Sequence, residues 1–299
     1  MGIDVGGTKV AIRVEDGATS RETTFLWVDA GDPARDVAAL SDRLTTMFGE
    51  SRGSVRAVGV AMPATLNRDG RVIAWPGRPS WVGIEVHAAL DALFPGTVVR
   101  YADDGDLAAV AEADAIGARD VVYLGVGTGV GGGVVLDGRS LPGPDAGSCE
   151  VGHLIVDRSG AVCDCGRRGC LQGQASGPAT LRRAAESRGE EVTFFALRDA
   201  WLARAPWAVS AVRDSCASIA AAVIGLAELV GVPHAVIGGG FASSLPGFTD
   251  EVATQIADLR RAGVPTPRVT EAVFGGLSSL RGAVLLARRS PTAFRAATA

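Results

Sequence analysis

The chain has 299 residues, 47% of them hydrophobic and 21% charged, and a formal charge of −4 from 29 basic and 33 acidic side chains. That length and apolar content suffice for two domains with a large buried core and exclude general disorder. A mildly acidic balance without a basic block makes the chain a poor partner for nucleic acid. Forty glycines, many of them clustered, point to backbone loops built around ligands.

The first residues, Met1-Gly2-Ile3-Asp4, form neither a basic nor an apolar leader, and Gly6 stands where a myristoylation signal needs Ser or Thr. Residues 2–5 and 10–14 predict two strands around a glycine turn. Asp32-Pro33 offers an N-cap and a helix-starting proline, after which Val37, Leu40, Leu44, Met47 and Phe48 share one helical face. Strands are expected over 55–61 and 98–102, a helix over 107–116, and strands over 121–126 and 133–136. Later come a long helix over 210–230, strands over 235–238 and 269–274, and a final helix from Ser278. The longest apolar run, Cys216 to Val232, is interrupted by Ser218, Gly225 and Glu228. It reads as a buried helix, so no membrane partner is expected and the default location is the cytoplasm. The tail after Ser290 carries no pattern.

Two segments echo one another: Ile3-Asp4-Val5-Gly6-Gly7-Thr8-Lys9 and Val126-Gly127-Thr128-Gly129-Val130-Gly131-Gly132. Each follows the start of an apolar strand and precedes another strand. Two similar halves with a ligand between them fit this echo, with a boundary near 103–106. Phosphate binding needs several backbone N–H groups aimed at one place, which glycine permits. The first loop adds Thr8 and Lys9 for phosphate oxygens, and Asp4 suits a magnesium ion held through water. Gly238-Gly239-Gly240 forms a third cluster. A ligand-free hairpin explains any one of these loops as well as a phosphate does. All three together, one of them carrying Asp, Thr and Lys, favour the phosphate. A dinucleotide fold is excluded because a strand, not a helix, follows Gly129, and no Gly-Lys-Ser/Thr ends a Walker loop.

An odd count of five cysteines, three of them crowded together, reads as a metal site in a reducing compartment. His153, Cys163, Cys165 and Cys170 offer one imidazole and three thiolates, a closed tetrahedral set for structural zinc, with Gly166 and Gly169 turning the chain between the sulfurs. Cys149 and Cys216 read as small buried apolar groups. Asp103-Asp104-Gly105-Asp106 lies between a strand and a helix. Helix capping is the expected task of Asp106. Three carboxylates exceed what capping needs, and phosphoryl transfer to an alcohol needs a carboxylate to take the hydroxyl proton.

Taken together, Asp4-x-Gly-Gly-Thr-Lys9, the Gly127 to Gly133 run, Glu150-Val-Gly-His153 and Cys163-x-Cys165-Gly-x-x-Gly-Cys170 resemble the ROK family (repressors, open reading frames, kinases) from Met1 to about Arg288. The resemblance implies an α/β, actin-like ATPase (ribonuclease H-like) fold of two lobes, with ATP and a sugar meeting in the cleft between them. It divides the chain into a small lobe over 1–104, to which a helix at about 278–290 returns, and a large lobe over 105–277 that contains the zinc knot. Only three residues precede Asp4, so the DNA-binding repressor branch is not expected. The resemblance assigns Asp104 as the general base. It assigns Asp4, Gly6, Gly7, Thr8, Lys9, Gly127, Thr128, Gly129, Gly131 and Gly132 to Mg·ATP, with Gly238, Gly239 and Gly240 on the nucleoside side. Asp103, Asp104, Glu150, His153 and Gln172 fall to the sugar, and a homodimer is implied. Three positions depart from the family pattern: Asp103 replaces an Asn, Gln172 a Glu, and Gly77 a common Asn. The acid at Asp103 points toward an amino sugar phosphorylated on its 6-hydroxyl, and the kanosamine kinases of ansamycin-antibiotic pathways are the group most resembled. Glucokinase and C7-cyclitol kinase are the alternatives within the family, and a non-catalytic sugar sensor is the alternative outside it.

Overall fold

Strand β1 (Gly2–Val5) pairs antiparallel with β2 (Lys9–Asp16), as the apolar pattern around the glycine turn predicts. The chain then reverses at Gly17-Ala18 into β3 (Thr19–Leu26), which pairs with β2 along its whole length. Helix α1 (Pro33–Phe48) starts where Asp32 Oδ1 accepts from Ala34 N at 2.9 Å, and it buries Leu40 and Leu44. Next come β4 (Ala57–Ala61), a small hairpin of β5 (Thr65–Leu66) and β6 (Val72–Ala74), a 3-10 turn at Pro79–Trp81, α2 (Val86–Leu93) and β7 (Val98–Ala102). The sheet order is β3-β2-β1-β4-β7, with β1, β4 and β7 parallel. The structure is a computed structural model that describes residues 1–27, 32–48, 55–67, 69–142 and 148–288. The patternless tail after Ser290 lies outside the described residues.

Helix α3 (Asp104–Ala115) leads to a second sheet. There β8 (Val121–Val126), β9 (Val130–Leu136) and β10 (Arg139–Leu141) run antiparallel, the last two joined at Asp137-Gly138. Helices α4 (Leu171–Ala175), α5 (Gly177–Arg188), α6 (Phe194–Leu202) and α7 (Pro206–Val230) follow. Then come β11 (His234–Gly238), α8 (Gly240–Ser243), α9 (Phe248–Asp258), β12 (Arg268–Glu271) and α10 (Ser278–Arg288). The order is β10-β9-β8-β11-β12, with β8, β11 and β12 parallel. The echo between the two glycine loops is thus the visible part of a repeated five-stranded sheet, the same order and directions occurring twice.

Two compact units result. Of the described residues, the first comprises Met1–Leu107, Pro142, Ser148 and those from Ser279 onward; the second comprises Ala108–Leu141 and Cys149–Ser278. In the first, Ala283 and Leu286 of α10 pack with Ala61 and Leu107. In the second, α7 buries Val212, Cys216, Ile219 and Val223 in the core. By length and composition α7 is, among the described residues, the one helix apolar enough to cross a membrane; here it is the central core helix of its unit.

Several boundaries differ from the expectations for local reasons. Helix α3 begins three residues early because Asp103, not Asp106, is its cap: Asp103 Oδ1 accepts from Gly105 N at 3.0 Å and Asp106 N at 3.2 Å. Strand β9 begins at Val130, so Gly131 and Gly132 lie within the ladder, opposite Gly125 and Leu124. Strand β12 ends at Glu271, where the backbone turns to meet Glu112.

Candidate active site

In the first unit the sheet register places the acids. Asp4 on β1 lies beside Ala61 on β4, and Ala61 beside Ala102 on β7. Strands spaced ~4.8 Å apart put Asp4 and the end of β7 roughly 10 Å apart on one edge. Asp103 and Asp104 follow at that edge, each half-buried. The Asp4 carboxyl is pushed up to about 7, first by burial and then by the charge of Asp104, against the opposing pull of Lys9. An acid edge of this kind is stabilised by a cation.

The Gly6–Lys9 turn closes with Gly6 N donating to Lys9 O at 2.9 Å, leaving Thr8 and Lys9 exposed. Trp27 braces it: the indole Nε1–H donates to Gly6 O at 2.9 Å and the backbone N–H to Thr8 O at 3.1 Å. A Cβ on Gly7 would lie 2.9 Å from Gly77 Cα, so both positions need glycine for the two backbones to approach. The departure at Gly77 is therefore a packing contact with the turn itself. Trp27, Asp36 and Arg78 were not legible as parts of this site. The available hint was Asp36, a carboxylate four residues before Leu40 on the buried stripe of α1.

In the second unit the other glycine clusters share one edge. Gly127 N donates to Gly129 O at 2.8 Å in the turn between β8 and β9, with Thr128 exposed at its tip. Gly238 pairs with Gly125, and Gly239, at φ +86°, brings its Cα face against Val126, whose N lies 2.4 Å from where a Cβ would sit. Gly240 opens α8 beside them. Gln172 on α4 turns toward the same loop, its Oε1 accepting from Val130 N at 3.2 Å. Glu150 precedes the 3-10 turn that ends at His153, and His153 Nε2 lies 4.0 Å from Glu150 Oε2.

The other imidazole nitrogen faces the thiols. His153 Nδ1 is 3.8 Å from Cys163 Sγ, Cys165 Sγ is 3.6 Å from Cys170 Sγ, and the four ligand atoms all lie within 4.8 Å of one another. A tetrahedral ion with bonds of ~2.0–2.3 Å would hold its ligands about 3.3–3.8 Å apart, so the set fits one metal. The exposed Cys165 thiol is lowered to about 6, chiefly by the Arg167 backbone N–H, and Cys170 is pushed up to about 11, chiefly by burial. All five cysteines are free thiols. Cys149 and Cys216 stay outside the cluster, and burial pushes the Cys216 thiol well up.

The model of the ROK family matches residues 1–290. The chain is 50% identical over 288 residues to the kanosamine kinase of Amycolatopsis mediterranei, covering 96% of this chain and 95% of that one. Among solved structures, it superposes on the ROK hexokinase of Thermus thermophilus with a TM-score of 0.81 at 30% identity, covering 96% of each chain. It matches the ROK glucokinase of Streptomyces griseus, solved with glucose and AMPPNP, with a TM-score of 0.81 at 25% identity over 97% of this chain and 99% of that one. A family match that runs from the first acid edge through the thiol cluster to α10 settles the lineage: the chain belongs to the ROK family.

Proposed function

We propose that the chain is an ATP-dependent kinase that phosphorylates the 6-hydroxyl of kanosamine, 3-amino-3-deoxyglucose. Asp104 accepts the proton of the 6-hydroxyl as its oxygen bonds to the γ-phosphorus, the bond to the bridging oxygen breaks, and ADP leaves. The Gly6–Lys9 turn and the Gly127–Gly129 turn hold the phosphates through backbone N–H groups, with Thr8 and Lys9 adding a hydroxyl and a charge. Asp4 would hold a magnesium ion, which would neutralise charge on the phosphates, and Gly238 to Gly240 face the nucleoside. His153, Cys163, Cys165 and Cys170 would hold a zinc ion, which would supply structural cross-linking there, and His153 turns its Nε2, with the Glu150 carboxylate, to the sugar. Gln172, tied to Val130, presents its amide beside them.

The observation that carries the choice of sugar is Asp103 beside Asp104. Asp103 caps α3, but an Asn caps a helix equally well, so capping does not account for the acid. Facing a neutral hydroxyl, a carboxylate there keeps its desolvation penalty; facing an ammonium, it gains a charge-assisted hydrogen bond and relieves its repulsion with Asp104. Leaving such a partner unmatched costs roughly 2–5 kcal/mol, a discrimination of about 30-fold to several thousandfold. The 50% identity to a kanosamine kinase supports the same choice. The test compares kcat/KM for kanosamine and glucose in the wild type and in Asp103→Asn. The wild type should prefer kanosamine, and the variant should move toward glucose. A wild type that prefers glucose, with a ratio the substitution does not move, would return the reading to a glucokinase.

A further inference from the structure

Arg78 is an unexpected side chain in the interior of the first unit. It follows Gly77, leads into the 3-10 turn at Pro79–Trp81, and is 1% exposed. Its Nη1 donates to both oxygens of Asp36, at 2.7 and 2.8 Å, and Trp81 Nε1 donates to Asp36 Oδ2 at 2.8 Å. Its guanidinium carbon sits 4.4 Å from the centre of the Trp27 ring. An arginine next to a glycine that touches a phosphate turn suggests a phosphate ligand. The geometry excludes that role, because the side chain is enclosed and its Nη1 is committed to an equally buried carboxylate. What the guanidinium does touch is the indole that donates to Gly6 O. Gly77, its neighbour in the chain, presses on Gly7 from a second direction.

We propose that Arg78 and Trp27 are positioning residues for the Gly6–Lys9 turn: the buried Arg78–Asp36 pair fixes the Trp27 indole, and the indole fixes the Gly6 carbonyl. The inference rests on the reading of that turn as a phosphate site. Two successive glycines give a turn many backbone arrangements. Anion binding needs the N–H groups preset in one of them, since donors that must be reordered on binding lose affinity. The planar guanidinium suits this task because it can stack on the indole and bond a carboxylate at once, which an ammonium cannot.

Trp27→Phe keeps an aromatic ring beneath Arg78, though a smaller one, and removes the Nε1–H donor. Steady-state kinetics with ATP and the sugar varied separately should give an ATP KM raised about three- to tenfold, the effect of one hydrogen bond, with the sugar KM within twofold. Arg78→Lys keeps the charge, loses the planar stack, and should move the same constant in the same direction. Should the lysine variant fail to fold, Trp27→Phe decides by itself. Thr8→Ala, a change in the turn itself, separates this inference from the reading beneath it. If Thr8→Ala raises the ATP KM and Trp27→Phe does not, the positioning role is overturned and the phosphate site stands. If neither variant moves the ATP KM, the turn is not the nucleotide site and both fall. A lowered melting temperature in Trp27→Phe with both KM values unchanged marks a purely structural brace and also overturns the proposal.

Discussion

The Asp4 carboxyl titrates at about 7 in the folded chain, against 3.8 for an unperturbed aspartate. Burial is the main cause and the neighbouring Asp104 charge the second. Between those two values the folded state holds a proton that the unfolded state has released, so this group's contribution to stability falls as pH rises through that window. Above about 7 both states are ionised and the whole penalty is present. At about 1.4 kcal/mol per unit, it amounts to a few kcal/mol. Asp4→Asn should therefore stabilise the metal-free, nucleotide-free protein at pH 8, and the gain should shrink toward zero near pH 4. Denaturant midpoints of wild type and variant across that range measure the difference. An equal gap at both ends would mean that Asp4 is not held against its own charge. A carboxylate held against its own charge favours a cation beside it, since part of the penalty is relieved when positive charge arrives. The tension was not readable in the sequence: Asp4 and Asp104 are a hundred residues apart, and only the parallel register of β1, β4 and β7 brings them to one edge.

At the level of single elements, Glu112 on α3 shows how a buried charge is used structurally. It is 0% exposed, and it accepts from Val273 N at 2.7 Å, Phe274 N at 3.1 Å and Ser278 Oγ at 2.6 Å. The turn after β12 and the first residue of α10 are thus tied to one side chain. Glu112→Ala would strand two backbone donors, each worth about 1–3 kcal/mol when left unpaired, while Ser278 Oγ keeps Gly275 O as an acceptor at 3.0 Å, so a loss of about 2 kcal/mol or more is expected. Glu112→Gln should cost less, because one oxygen still accepts. Urea unfolding of the three proteins checks the order, and an alanine variant as stable as the wild type would remove the anchoring role. Elements of the two units differ in how openly the sequence declares them. Strand β8 is an unbroken apolar run between Asp120 and Gly127, and its limits were read directly. Strand β3 is polar and mostly exposed, and it pairs because the Gly17-Ala18 turn lays it on β2, a short-range turn signal that hydrophobic periodicity passes over. Helices α5 and α6 were likewise invisible to periodicity. Their starts are set by the Ser176 and Thr193 side chains, which accept from Ala179 N and Ala196 N at 3.3 and 3.2 Å.

Across the whole molecule, the repeated sheet was legible through its glycine turns because a hairpin that must bring several N–H groups together tolerates few residue types. The stretch between β10 and α4 was legible for another reason: its candidate metal ligands are spelled out by residue type, while its described residues hold almost no regular structure to read. Its described part contains one 3-10 turn and two isolated bridges, Ile155 to Cys170 and Val162 to Arg168. A loop of that length inside a packed unit needs another source of order, and the His153, Cys163, Cys165 and Cys170 cluster offers one. Each chain should carry one tightly held zinc, measured by elemental analysis of protein purified without chelators. Stripping it should leave the thiolates close together without their counter-charge, lower the melting temperature, and free the imidazole of His153. Because Nε2 of that ring lies toward Glu150, metal loss should raise the KM for the sugar well above any change in the KM for ATP. Restoring zinc should reverse both effects. A metal-free protein that melts at the same temperature and keeps its sugar KM would show that the four residues are packed thiols beside a core histidine, and that the loop is ordered by its bridges and not by an ion.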